Sequence, residues 1–356
     1  MVTNSALLQS RSRRESRLVT SRRFKGGKFH NTFPTRMMSG PPSWDMAVDF
    51  VAGSARRSPR AALPLFAHTQ SVLSSAPQHG LRVTWLGHST VLVELDGVRL
   101  LTDPVFGNRA SPLPFAGPKR FHPPPLPLEQ LGRIDAVVLS HDHYDHLCAW
   151  TVRALASGRA PGFSGRFVTT LGVGAHLEAM GVAPAHITEL DWGDGAKVGD
   201  VDVVATPAQH FSGRGLERNG TLWAGFALCG PRHRVFFSGD TGPTAEHKDI
   251  GASLGPFDVA MFEIGAFHPA WGDIHLGPQA AFAAFQQANA RAMLPIHWST
   301  FDLGLHPWEE PGEILVNTAA REGAPLWTPQ LGQPVEQPVA GAFGTPWWRR
   351  VLSPGR

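Results

Sequence analysis

From Leu81 onward the chain alternates short apolar runs with polar punctuation, and the runs carry the β-branched and aromatic residues that favour strands. "RVTWLG" and "STVLVEL" are followed by Asp96-Gly97, a pair suited to a tight hairpin turn, and then by "VRLLTDP". Beyond a proline-rich excursion, "NRASPLPFAGPKRFHPPPLPL", come "IDAVVLS", "RFVTTLG", "VDVVATP", "LWAGFALCG", "RVFFSGD", "FDVAMFEIG" and "RAMLPIHW". Helical patterning falls between them near 148–158, 173–181 and 277–289. Strands interleaved with helices predict a layered α/β domain whose sheet faces are covered. The prolines exclude ladder pairing and predict a surface loop for the excursion, a candidate active-site wall.

Composition adds a boundary. Nine of the 32 basic residues lie in the first 36 positions with a single acid, Glu15, so the rest of the chain holds 23 bases against 28 acids. The positive net charge therefore belongs to the N-terminus, which lacks the apolar core of a secretory signal. Residues 1–23 read as a basic, disordered leader, suited to peripheral contact with an anionic membrane; residues 24–356 read as a single domain with an N-terminal extension over 24–80. No run of about 18 apolar residues is present, and two cysteines are too few for a disulfide framework. A cytoplasmic, at most membrane-peripheral protein is expected, and nothing in the pattern sets an oligomeric state.

Each apolar run ends in chemistry. "IDAVVLS" leads into His141, His143, Asp145 and His146, "VDVVATPAQ" into His210, "RVFFSG" into Asp240 and "RAMLPI" into His297. Four strands would thus deliver seven metal-ligand side chains from their carboxyl ends, where open α/β sheets gather their sites. In extended chain, residues two apart project to one side, so His141 and His143 can grip one ion while Asp145 and His146 address a second. Imidazole and carboxylate donors suit Zn2+, and also Mn2+ or Fe2+. Three protein ligands per ion would leave a position for water, the mark of a catalytic site.

"HDHYDH" followed by isolated His210, Asp240 and His297 resembles the metallo-β-lactamase superfamily. "WLGHSTVLVELDGVRLLTDPVF", "GPKRFHPPP", "SHDHYDHL", "TPAQHFSGRG", "FSGDTG" and "PIHWSTF" resemble its N-acyl phosphatidylethanolamine-hydrolysing phospholipase D-like branch, over about Phe24 to residue 335. The resemblance implies an αββα sandwich and two zinc ions, one held by His141, His143 and His210, the other by Asp145, His146 and His297. Asp240 would bridge them, with a bridging hydroxide as nucleophile. Asp145, Asp240 and His275 are then the candidate catalytic residues.

Further residues follow from their neighbourhoods. His88 in "GHST" and Asp103 in "LTDP" close strands near the site and are candidates for supporting ligand imidazoles. His275 could meet a leaving group or substrate phosphate, and Arg214 could pair with an anionic group. Branch relatives often carry Gln where Ile274 stands and Asp where Cys148 stands; Cys148 reads as a packed residue at a helix start. The expected activity is hydrolysis of a small-molecule or lipid phosphodiester. A lactonase or other ester hydrolase is the alternative, because the ligands alone do not separate carbonyl from phosphorus. A nuclease is disfavoured by the slightly acidic core and the absence of a large insertion between Asp240 and His297, so no nucleic-acid partner is expected. A non-catalytic adaptor is disfavoured because all seven ligands are present.

Overall fold

A computed structural model describes residues 4–36, 56–215, 217–268, 271–336 and 346–352. The first three residues of the expected leader, and positions 37–55, 216, 269–270, 337–345 and 353–356 of the expected domain, lie outside the described residues.

After a small hairpin of β1 (Phe24–Lys25) and β2 (Lys28–Phe29) and a short helix α2 (Thr69–Leu73), two mixed sheets form the centre. In the first, β3 (Leu81–Gly87), β4 (Thr90–Leu95) and β5 (Val98–Thr102) make an antiparallel meander, and β6 (Ala136–Val138), β7 (Phe167–Thr170) and β8 (Ile187–Leu190) continue it in parallel. A short β15 (Pro334–Glu336) pairs with β3 at the far edge. In the second, β9 (Gly195–Val198), β10 (Val201–Thr206), β11 (Gly225–Cys229) and β12 (Arg234–Phe237) are antiparallel, and β13 (Val259–Glu263) and β14 (Met293–Ile296) extend β12 in parallel. Asp96 and Gly97, both at positive φ, make the predicted turn between β4 and β5.

Strand periodicity assigns the layers. Val83, Val91, Val93, Leu100 and Val138 point into the core shared with Val203, Phe226 and Phe236 of the second sheet. Their alternates Leu92, Leu101, Val137 and Phe167 face the other way, onto Val152 and Leu155 of α3 (Ala149–Ala156) and Val173 and Leu177 of α4 (Val173–Ala179). The outer face of the second sheet is covered by α5 (Glu246–Leu254), α6 (Gly277–Gln287) and α7 (Glu310–Glu322), through residues such as Ile250, Phe282 and Leu315. Helix, sheet, sheet, helix is the αββα sandwich. Because both faces of each sheet are buried, most strands read as continuous apolar runs. β8, β9 and β15 escape that signal: they lie at sheet edges and are short and half-exposed.

Two expectations need correction. The leader is not a disordered tail: Asn4–Thr20 is helix α1, docked on the body. Arg14, 8% exposed, pairs with Glu178 at 2.7 Å and Glu189 at 2.8 Å, and Arg17 pairs with Asp194 at 2.6 Å. Acids distant in sequence neutralise the self-repulsion that suggested disorder. Nor is the proline-rich excursion wholly superficial. Arg120 and His122 are buried, with Arg120 Nη1 donating to Val105 O at 2.6 Å. Among the described residues no helix is long and apolar enough to cross a membrane.

Candidate metal centre

The sheets deliver their carboxyl-terminal loops to one edge of the sandwich. The loop after β6 carries His141, His143, Asp145 and His146, while those after β10, β12 and β14 carry His210, Asp240 and His297. Close packing of these loops shows at Gly239, whose φ is +56° and where a Cβ would lie 2.8 Å from Ser140 Cβ. Only glycine fits there, so Asp240 is brought against the histidine loop.

Side-chain donors fall into two principal groups, each with its candidate ligand atoms within 4.8 Å of one another: His141, His143, His210 and Asp240; and His88, Asp145, His146 and His297. Asp240 Oδ2 lies between them, 3.1 Å from His146 Nε2, 3.2 Å from His297 Nε2, 3.7 Å from His210 Nε2 and 3.9 Å from His141 Nε2. All five residues are almost completely buried. Yet among the described residues His146 Nε2, His297 Nε2 and Asp240 Oδ1 have no hydrogen-bond partner; the imidazole nitrogens approach the carboxylate in distance without the alignment of a hydrogen bond. Buried polar atoms left this way are costly unless a ligand completes them, and N,O donors converging on two centres match the demands of divalent transition ions.

Electrostatics point the same way. Burial, reinforced by neighbouring imidazoles, holds His141 and His210 well below the usual histidine pKa, so they are neutral donors. Burial would raise Asp145 and Asp240, but His146 and His297 overcome it and keep both carboxylates ionised, well below their usual range. Conversely, burial is outweighed at His297 by Asp240 and Asp145, which push it up to about 10, and His146 is raised for the same reason. Protons on those two rings occupy the place that cations would take.

Supporting contacts set the tautomers. His146 Nδ1 donates to Asp103 Oδ2 at 2.6 Å, His210 Nδ1 to Ile274 O at 2.8 Å, and Ser140 Oγ lies 2.9 Å from His141 Nδ1. Each directs Nε2 towards the centre. The backbone of Ile274 orients His210, so the absence of Gln from that position leaves this support intact. His88, proposed as support, stands within the second group, with Nε2 3.0 Å from Asp145 Oδ2. His88, Asp103 and His297 all have positive φ, a conformation costly for non-glycine residues that the packed surroundings enforce. Cys148 is the buried residue immediately preceding α3.

Beside these donor groups opens a cavity of about 360 Å³, lined by His143, Asp145, Asp240, His275 and His297 and walled by Phe211, Trp271, Ile274 and Leu303. His275 lies with Asp240 and His297, its Nδ1 3.2 Å from Glu263 Oε1. Arg214 does not line this cavity. Its Nη1 donates to Asp142 O and Leu147 O at 2.7 and 2.8 Å, and its guanidinium stacks 4.1 Å over Tyr144, so it braces the histidine loop and faces a separate cavity beside α1. Among the described residues the cation at the cavity is Arg218, exposed beside Phe211. Sequence reasoning missed Arg218, Glu263 and Trp271: Arg214 and Arg218 share one loop, and nothing in their spacing says which turns inward.

Comparison with known proteins agrees with this geometry. Residues 98–298 match the family model described as a beta-lactamase superfamily domain. The chain is 44% identical over 332 residues to an uncharacterized protein of Mycobacterium tuberculosis, covering 92% of this chain and 87% of that one. It is 41% identical over 238 residues, 64% of this chain and 66% of the relative, to the N-acyl-phosphatidylethanolamine-hydrolyzing phospholipase D 1 of Caenorhabditis elegans. A solved metallo hydrolase from the archaeon Ignicoccus hospitalis superposes with a TM-score of 0.54 at 25% identity, over 72% of this chain and 97% of that one.

Proposed function

Since the chain belongs to the metallo-β-lactamase superfamily and is a metal-dependent hydrolase of it, we propose that it carries two ions, zinc in the first instance, and cleaves the phosphodiester of a small amphiphile or lipid. The position of Asp240 Oδ2 between four imidazoles carries the dinuclear reading. A carboxylate so placed offsets the mutual repulsion of two cations. His141, His143 and His210 would hold one ion and Asp145, His146 and His297 the other, with Asp240 common to both. Bound there, the ions supply Lewis acidity and bring the pKa of water from about 16 to near 7.

The chain's own groups do the rest. His275 Nδ1 is tied to Glu263, a carboxylate that offsets the charge of the imidazolium, and from that doubly protonated ring Nε2 can hand a proton to a departing oxygen and leave the neutral Nδ1–H form. Arg218 can neutralise a phosphate oxygen at the cavity, and Phe211, Trp271, Ile274 and Leu303 offer an apolar wall that excludes water and holds a hydrocarbon portion. The name of the nematode relative supports a phospholipid diester as the substrate class. The test is a panel of phosphodiesters, phosphomonoesters, lactones and N-acyl phospholipids on metal-loaded protein, with cleaved bonds identified by mass spectrometry. Cleavage of a phosphodiester well above any lactone supports the reading. Lactone opening far faster than any phosphodiester cleavage moves it to the ester-hydrolase alternative.

A further inference from the structure

We propose that the protruding loop Ser111–Gly117 is an interfacial anchor that inserts into the surface of an anionic phospholipid membrane. Large apolar side chains are rarely left outside, yet Phe115 is 75% and Leu113 46% exposed, with Pro112 and Pro114 exposed between and before them. The tip stands on a closed neck. Arg120 N donates to Asn108 O and Ala110 N to Pro118 O, both at 3.0 Å, and Arg109 bridges Lys119 in antiparallel fashion. Arg109 Nη1 ties Gly117 O at 2.5 Å. A braced neck under an apolar tip is a built projection, not a frayed loop.

Its backbone chemistry selects lipid over a protein partner. A bilayer offers no hydrogen-bond acceptors to inserted N–H groups, whereas a protein surface does. Pro112 and Pro114 carry no N–H, and the Leu113 amide is already satisfied by Ser111 Oγ at 3.1 Å, so the run 112–114 brings no free donor into the leaflet and only the amides beyond it need the headgroup layer. The surroundings select anionic lipid. Trp150, 45% exposed, borders the neck, since a Cβ on Gly107 would lie 3.9 Å from its own Cβ, and Arg159 covers its ring at 5.4 Å. Arg109 and Lys119 flank the tip at the neck, and the exposed Arg159 lies beside it over Trp150; Arg159 has one acid, Glu129, at 3.3 Å, and residues 105–128 contain no acid. Tryptophan and basic residues around an apolar tip match the order of hydrocarbon, headgroup and phosphate in a leaflet. The neck residue Ala110 packs with Val105, Cys148, Phe301 and Leu303, and Leu303 lines the cavity beside the metal centre. Docking there would hold a membrane beside that cavity, whichever bond the centre cleaves.

The test uses the full chain and vesicles of phosphatidylcholine with or without phosphatidylglycerol. Co-sedimentation with the anionic vesicles is expected, and L113S/F115S should weaken it at least about tenfold while leaving thermal stability and turnover of a water-soluble ester at wild-type levels. K119E/R159E should remove the preference for phosphatidylglycerol. F115W should report insertion independently, through added emission that brominated lipid quenches. Failure of the wild type to bind vesicles would overturn the proposal. So would L113S/F115S binding like the wild type, whether the anchor then proves to be α1, by loss of binding on deleting residues 1–22, or the tip proves to be a contact between copies, by a change in oligomeric state. Because the probe lipids need not be substrates, none of these outcomes depends on the phosphodiester reading.

Discussion

Asp103 Oδ2 accepts a hydrogen bond from His146 Nδ1 at 2.6 Å, with both side chains completely buried. The same carboxylate also takes Ser140 N and Ser140 Oγ, so one residue at the end of β5 fixes both the tautomer of His146 and the start of the histidine loop. Asp103→Ala should therefore lower metal affinity roughly 10- to 100-fold without removing a ligand. Chelator competition measures it; unchanged affinity would remove Asp103 from the support of His146.

Metal content tests the role of Asp240. Loaded protein should hold about two transition ions per chain, and Asp240→Asn should lower both occupancy and turnover, because a neutral amide offsets cation repulsion poorly. Uptake at neutral pH should release protons, since His146 and His297 are held protonated by the charge of the carboxylates that would bind the ions. Elemental analysis with pH-stat titration checks both. One tightly bound ion, with full activity in the variant, contradicts the dinuclear reading.

The two arginines of the 211–221 loop should separate cleanly. Arg218→Ala should raise KM for an anionic substrate and keep metal content, because its guanidinium lines the cavity and touches no ligand loop carbonyl. Arg214→Ala should loosen the His141–His146 loop and lower metal affinity, because it frees Asp142 O and Leu147 O. His275→Ala should lower kcat on the order of 100-fold with metal content near wild type. Steady-state kinetics beside metal analysis distinguishes the three.

Helix α1 can be tested by its anchor. Arg14→Ala leaves Glu178 and Glu189 without their cation and should cost on the order of 3 kcal/mol of stability, with faster proteolysis within residues 4–20. Turnover of a soluble substrate should stay near wild type, since α1 does not line the metal cavity. Denaturant titration and limited proteolysis measure it; an unaltered midpoint would mean that the pair contributes nothing.

His247 on α5 supplies a pH prediction away from the metal centre. Burial against Phe262 lowers its pKa to about 4, against about 6.5 in the unfolded chain, so the unfolded state binds its proton first as pH falls. Its contribution is intact above pH 6.5 and is lost progressively towards pH 4, by up to about 3 kcal/mol. His247→Phe should lose less stability than wild type across that window. Equal losses in denaturant titrations at pH 7 and pH 4.5 would refute it.

The seven candidate ligands and a layered α/β domain were legible because both arise from local pattern, while the αββα order of the layers came from the family resemblance. Buried strands impose continuous apolar runs, and ligand loops begin where those runs stop, so "AVV" before "HDHYDH" and "RVFF" before Asp240 announce themselves. Edge strands such as β8 and β9 were not legible, because half-exposed backbone pairing leaves no apolar signature. Charge was legible in sum but not in placement. The arginines of residues 1–23 look like a self-repelling tail until the fold sets Glu178 and Glu189 beside Arg14. In the same way Arg214 and Arg218 are equivalent in sequence, and only the carbonyls of Asp142 and Leu147 decide that one braces the loop while the other meets the cavity. Periodicity and residue chemistry by themselves announced the buried strands and which side chains could bind a metal. Tertiary structure decided which distant groups face one another, because the energy of an ion pair, a tautomer-fixing hydrogen bond or a buried carboxylate depends on contacts that the chain makes only when folded.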